Sequence, residues 1–443
     1  MAETLSFILD TQYHDLPDPV VKDAVRALVD TLGVGMCAVQ TDLSKIIQNH
    51  AHTTFGGNAA QIWPSGKTAS AAGATLANGM TIDSLDAHDG HKLTKGHVGC
   101  GVIPAVIAMA QAEGITDARE FLALVAIGYE IGTRAGIALH RSACDCHTSG
   151  AWIALAAAAI GARALGLDRN RTREALGIAE YHGPRSQMMR TIDAPSMVKD
   201  GSGWGAMAGI SAAYLARDGF TRAPAISMED NELQDIWTDL GKRWYIQDQY
   251  IKLYPVCRWA QPAAEAVIAL QRLHGFEHSD IRSIKIETFY EARRLSAIPS
   301  NTEQAKYSLP FAVGAALVKG TIGADEVMEQ GLTNKDILRL AQLVEIEETD
   351  TFNHAFPANR YALASIGLSN GKNLKSEITE AQGDPENRLD HIIIREKFLR
   401  LTSPVMGRVR AQNLLASIEK LPQTEDISEM LNQLCFKAPT KAF

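Results

Sequence analysis

From the N-terminus to about Leu273, nearly every strong apolar pattern in this 443-residue chain repeats with the period of an α-helix. From Ile281 the period changes to two. That switch restricts the chain to a long helical body followed by a smaller mixed segment. Asp18 and Pro19 open the first clear helix, and Val20, Val21, Ala24, Val25, Leu28, Val29 and Leu32 form its stripe. Gly33 and Gly35 then either permit close packing or end it. Residues 69–80 are mostly small, which predicts a central helix that its neighbours approach closely. Helices are expected over 102–112, 120–139, 151–165, 172–181, 204–216 and 262–273. The stretch 151–165 is apolar nearly all round, as in a buried helix.

Ile281 to Phe289 alternates apolar and polar residues, and 343–347 does so weakly. Asn370-Gly371 is a hairpin turn between 362–368 and 374–378. Segments 308–318 and 334–340 have the helical period, as do 391–401 and 409–417. The expected fold is mostly α. Residues 1–274 and 391–443 form a large all-helical domain, and 275–390 form a smaller α+β domain. Two domains also suit the chain length.

A formal net charge of −8 and the lack of a basic patch argue against nucleic acid as a partner. Six scattered cysteines make no disulfide framework, which fits a reducing compartment. The N-terminus has no secretory pattern, and the apolar runs, such as 151–159, are too short to span a bilayer. The expectation is a cytoplasmic protein with no membrane partner.

Between Asp83 and His97 lie three aspartates, three histidines and two lysines. Apolar helices flank this stretch on both sides, so the polar cluster is expected in the interior. There, ionisable groups are costly unless they pair or perform chemistry. A common arrangement follows along the chain. Four times an ionisable residue precedes a helix start: His97 before 102–112, His147 before 151–165, Lys199 before 204–216, and Lys252 with Arg258 before 262–273. Helix N-termini attract carboxylates and phosphates. If the four converge, they form a cationic pocket for a small acid with two or three carboxylates, in which a histidine can act as acid or base.

Other chemistries have weaker signals. Asp86, His88, Asp89, His91 and His97 include metal-ligand types, but no standard metal spacing is present, so no metal is assigned. A metal-dependent hydrolase built on this cluster is the rival reading. Cys144-Asp-Cys146 is a short pair with no second pair. The glycine runs near 33 and 201 lack a βαβ setting, and there is no P-loop, so no cofactor is expected.

Several motifs in order carry a family resemblance. They are Asn78-Gly-Met-x-x-x-Ser-Leu-Asp86, Lys95-Gly-His-x-Gly99, His147-Thr-Ser-Gly150, Lys199 before a glycine-rich helix start, and Lys252-x-Tyr-Pro-x-Cys-Arg-Trp259. Ser308-Leu-Pro-Phe-Ala-Val313 extends the match. Together the chain resembles the MmgE/PrpD family, which includes 2-methylcitrate dehydratase, cis-aconitate decarboxylase and iminodisuccinate epimerase. The resemblance implies a helical domain built from both chain ends, a chorismate-mutase-like lid, a homodimer, and cofactor-free chemistry on small polycarboxylates. It places Asp86, His97, His147, Lys199 and Lys252 at the family's active-site positions. Many members read Asp-Phe-Asp-Asp-Thr where this chain has Asp86-Ala-His88-Asp89-Gly90-His91. His88, His91, Lys92 and Lys95 are therefore unusual for the family.

These reactions share a carbanion or enolate beside a carboxylate. The expected scheme has His147 or His97 moving the proton and Asp86 orienting one of them. Lys199, Lys252 and Arg258 bind carboxylates and stabilise the enolate. His88, His91, Lys95 and Tyr254 complete the substrate-binding set, with Tyr254 a candidate for protonating a leaving group. The leading expectation is a hydro-lyase similar to 2-methylcitrate dehydratase; an epimerase or a decarboxylase are the alternatives.

Overall fold

A computed structural model describes residues 1–436. The helical body is built around Ala118–Ser142, a 25-residue helix buried along most of its length. It is long and apolar enough to cross a membrane, yet here it is the core helix of a packed body. Its midpoint carries Glu130 and Arg134, one turn apart, joined at 3.3 Å and fully buried. Asp18–Ala38 runs through Gly33 and Gly35 instead of ending there. A Cβ at Gly33 would lie 2.7 Å from the Phe398 ring, so the glycine lets His391–Met406 pack directly on this helix.

That contact returns the C-terminal helices to the N-terminal body, and a buried ion pair fixes it. Lys397 Nζ donates to Asp30 Oδ1 at 2.5 Å and to the Ala87 carbonyl at 2.7 Å. The pair thereby ties both helices to the loop after Asp86. Replacing Lys397 with Met leaves Asp30 buried and unpaired. The expected cost is about 3–5 kcal/mol of folding stability, read as a lower denaturant midpoint.

The small-residue helix is central, spanning Ala71–Leu85. It packs against Ser202–Arg217, which in turn crosses Gly150–Ala164. Both crossings depend on missing side chains. A Cβ at Gly203 would sit 2.5 Å from the Leu76 carbonyl, and one at Gly205 only 2.1 Å from that of Gly150. Close approach brings the starts of Gly99–Glu113, Gly150–Ala164 and Ser202–Arg217 to one end of the bundle.

The change of period at Ile281 is real. Ile281–Thr288 is one of the two inner strands of a four-stranded sheet, parallel to Val344–Glu348 and antiparallel to Leu363–Leu368. Asn373–Lys375 closes the predicted hairpin, with Gly371 at φ 83° in its turn. Gln261–His274 packs on the sheet, and Leu309–Lys319 packs on that helix. The protein is thus mostly α with a small α+β part. Sequence periodicity missed the Ala2–Asp10 and Asp42–Thr54 helices, whose apolar stripes are short. It also missed the two-residue ladder joining Gly90–His91 to Gln249–Tyr250.

Candidate active site

Ala71–Leu85 ends at Asp86, which caps it in the left-handed conformation at φ 57°. Lys95 at φ 53° and Lys199 at φ 47° share this geometry, and no other non-glycine among the described residues has positive φ. Such backbone is costly for side chains bearing a Cβ and concentrates where function requires it. Asp86 and Lys95 line the same narrow cleft, together with His97, Asp200, Lys252 and Tyr307. Lys199 is adjacent, its Nζ 4.3 Å from the centre of the Tyr307 ring.

Lys252 comes from the loop after Gln249–Tyr250, where the short ladder to Gly90–His91 brings it beside Asp86. Its Nζ donates to Asp86 Oδ1 at 2.8 Å and to the Asp86 carbonyl at 3.0 Å. Burial raises the Asp86 pKa, but Lys252 and then Lys199 more than offset it and hold this carboxyl down at about 2. Asp86 is therefore a carboxylate. Burial depresses Lys252, and Asp86 reverses this and keeps it an ammonium.

His97 is oriented at both ends. Its main-chain N–H donates to Ser149 Oγ at 3.0 Å, and its Nδ1 makes a short hydrogen bond to the Asp89 carbonyl. A carbonyl only accepts, so Nδ1 carries the proton and Nε2 keeps its lone pair. Nε2 lies 3.9 Å from Asp86 Oδ1 and 4.0 Å from Asp200 Oδ2. Burial, then Lys252, push the imidazole down to about 3, against the pull of Asp86. Tyr129 donates to Asp89 Oδ2 at 2.5 Å and so steadies the turn that holds His97.

Asp200 faces this base with the opposite tendency. Burial, then the Asp86 carboxylate, push its carboxyl up, against Lys199. Ser149 donates to its Oδ2 at 2.9 Å. Asp83, behind it, is raised by burial and then by Asp200, and it accepts from the Ser202 N–H at 3.5 Å. The helix starts do converge, but Asp83 and Asp200 occupy part of their positive ends. Lys306 supplies another cation. Its Nζ donates to the Ser84 carbonyl at 2.6 Å, and burial, then Lys199, push it down to about 8.

The remaining sequence-predicted residues lie in several places. Lys199 is fully buried, and its Nζ has no hydrogen-bond partner among the described residues. Arg258 lines the cleft with both terminal nitrogens engaged, Nη1 by Gln261 and the Gln382 carbonyl and Nη2 by the Ala381 carbonyl and Asp384, while its buried Nε has no partner among the described residues. It therefore locks the 381–384 segment over the helical body. Lys92 joins that lock through Asp384 and Glu386.

His88 lies behind His97, ring centres 4.4 Å apart, with both nitrogens unpartnered among the described residues. Burial keeps it neutral, its pKa well below the ordinary histidine value. His91 packs edge-on against Tyr245, away from the cleft lining. Tyr254 is also outside that lining, and burial, then the nearby Glu265 carboxyl, raise the pKa of its hydroxyl. His147 is half-buried on the loop before Gly150–Ala164, with Nδ1 on the Asp145 carbonyl at 3.0 Å.

Asp200, Lys306 and Tyr307 were not singled out from the sequence. Asp200 follows Lys199 directly at a helix start, and Lys306-Tyr307 precedes the Ser308 motif, so proximity to known motifs was the available signal. Among the described residues no group of three or more histidine, cysteine, aspartate or glutamate side chains assembles as a metal would need.

The arrangement can take a proton at His97 Nε2, give one from Asp200, and set developing negative charge against Lys199 and Lys252. Comparison with known proteins shows the family to which this site belongs. The MmgE/PrpD N-terminal domain matches residues 3–239, and the MmgE/PrpD C-terminal domain matches 254–423. A cis-aconitate decarboxylase-like protein, oryM, of Aspergillus oryzae is 21% identical over 97% of this chain and 96% of its own length. The cis-aconitate decarboxylase of Mus musculus is 23% identical, covering 95% of this chain and 90% of its own. That of Homo sapiens is also 23% identical, over 96% and 92%. With both domain models accounting for nearly its whole length, the chain belongs to the MmgE/PrpD family.

Proposed function

We propose that this protein is a lyase that removes a proton beside a carboxylate of a small di- or tricarboxylate and expels water from the adjacent carbon. One observation carries the reading: the cleft pairs a neutral base, His97, with a carboxyl driven toward its protonated form, Asp200. Dehydration needs both, one to take the α-proton and one to protonate the departing hydroxyl. Decarboxylation reaches its carbanion without a base.

In this scheme the unpaired Lys199 receives a substrate carboxylate and takes up enolate charge. Lys252, already held by Asp86, adds its field and fixes the carboxylate that faces His97 Nε2. Lys95, on the cleft lining, meets a second substrate carboxylate. No step of the scheme calls for a cofactor.

A second reading, a decarboxylase, is favoured by the names of the relatives, which match more than nine-tenths of this chain. One experiment separates them. The purified protein is incubated in deuterated water with 2-methylcitrate, citrate, cis-aconitate and iminodisuccinate, and products are followed by NMR. The expected result is an alkene from a hydroxy acid. Carbon dioxide released from cis-aconitate would transfer the assignment to a decarboxylase, and solvent exchange without a new product class to an epimerase.

A further inference from the structure

His88 takes no part in the scheme above, yet its ring lies against that of the base. The His88 and His97 ring centres are 4.4 Å apart with the planes 61° from parallel, and His88 is fully buried. His97 lines the cleft and His88 does not, so the contact is made on the side of His97 away from substrate. Neither His88 nitrogen has a hydrogen-bond partner among the described residues. The pair is therefore a contact between rings and not a hydrogen-bonded relay.

The charges around the two rings are divided between their sides. At the cleft, His97 Nε2 has two carboxyls near it, Asp86 at 3.9 Å and Asp200 at 4.0 Å. Behind it the acidic groups are already engaged. Asp89, whose carbonyl takes the Nδ1 proton, has its carboxyl held by Tyr129 at 2.5 Å, and Asp30 is paired with Lys397 at 2.5 Å. Lys252 and Lys199 act on both rings, and Lys397, from His391–Met406, adds its charge at His88. Burial, then His97 and these lysines, keep His88 uncharged. The Tyr250 ring, 6.4 Å from His97, is the other aromatic neighbour of the base.

From this arrangement we propose that His88 is a positioning residue that sets the working range of the base. An uncharged ring behind His97 leaves the protonated imidazole with counter-charges only at the cleft. His97 then stays ready to accept a proton in weak acid, and it returns a captured proton to the cleft instead of keeping it. The inference rests on the reading of His97 as the base and says what keeps that base free.

The test changes the charge at position 88 and reads the His97 ring itself. Full-length wild type, His88→Asn and His88→Asp, labelled at histidine, are titrated by nitrogen NMR from about pH 8 to about pH 4. The His97 signal is identified by its loss in His97→Gln, and kcat/KM is followed over the same range. Wild type and His88→Asn are expected to keep His97 unprotonated throughout. In His88→Asp a carboxylate among Lys252, Lys199 and Lys397 stays charged and favours the imidazolium. His97 should then titrate at least about one pH unit higher, the effect of an opposite charge in contact, and the acid limb of kcat/KM should rise with it. Equal His97 titration in His88→Asp and His88→Asn overturns the inference. So does protonation of either ring near the ordinary 6.5 in wild type, a measurement that still decides if His88→Asp does not fold. Activity retained in His97→Gln would instead remove His97 as the base, while the ring titration would still show whether His88 governs its charge.

Discussion

His97→Gln is expected to lower turnover by at least about 100-fold, the usual worth of a positioned general base, while leaving the fold intact. Glutamine keeps a side chain of similar reach but presents no basic nitrogen at the position of Nε2. The wild-type pH profile is an independent check. Burial and Lys252 push His97 down to about 3, below the ordinary histidine value of 6.5. A base must be unprotonated to act, so His97 stays competent as pH falls through 6.5 and loses competence only as pH approaches about 3. The acid limb of kcat/KM should therefore show no histidine-like fall near 6.5. A limb centred there points to a different base. His147→Gln gives the direct comparison: a loss of that size in His147→Gln, with His97→Gln still active, would move the base to His147 and sink the assignment.

How far the site was legible in the sequence depended on separation along the chain. Helical period and the switch at Ile281 are local properties, so the helical body and the sheet could be read directly. The density of ionisable residues between Asp83 and His97 was local too, and it correctly marked a buried polar centre. Partners were not legible. Lys252 lies 166 residues from Asp86, and Lys397 lies 310 residues from the carbonyl it holds at Ala87. Nothing in either segment announces the other. The same limit explains why His88, His91, Lys92 and Lys95 looked alike in sequence yet diverge in space. His88 backs His97, His91 packs on Tyr245, Lys92 pins the 384–386 segment, and only Lys95 lines the cleft. Within a loop, side-chain direction follows from backbone conformation, such as the positive φ at Lys95, which no periodicity encodes.

The two central lysines should separate catalysis from stability. Lys199→Met and Lys252→Met are each expected to reduce kcat by about 10²–10³, the range for losing a preorganised charge that stabilises a developing anion. Their structural costs should differ sharply. Lys252 is the hydrogen-bonded counter-ion of a buried carboxylate, so its removal leaves Asp86 unpaired at a cost of about 3–5 kcal/mol. Asp86 must then take up a proton, and the penalty should shrink as pH is lowered. Lys199 is a buried cation with no hydrogen-bond partner among the described residues, and its ammonium is itself costly to bury. Methionine there fills the same space beside Tyr307 without that cost, although it gives up the charge that steadies the Asp86 and Asp200 carboxyls, so the unfolding midpoint should fall less than in Lys252→Met. Denaturant titrations with kcat measured on the same preparations decide the matter. Wild-type turnover in Lys199→Met, or a stability loss equal to that of Lys252→Met, would show that Lys199 serves the fold and not the reaction. A cation with no hydrogen-bond partner, whose removal costs the fold less than that of Lys252 but still abolishes turnover, is the mark of a charge kept for a ligand.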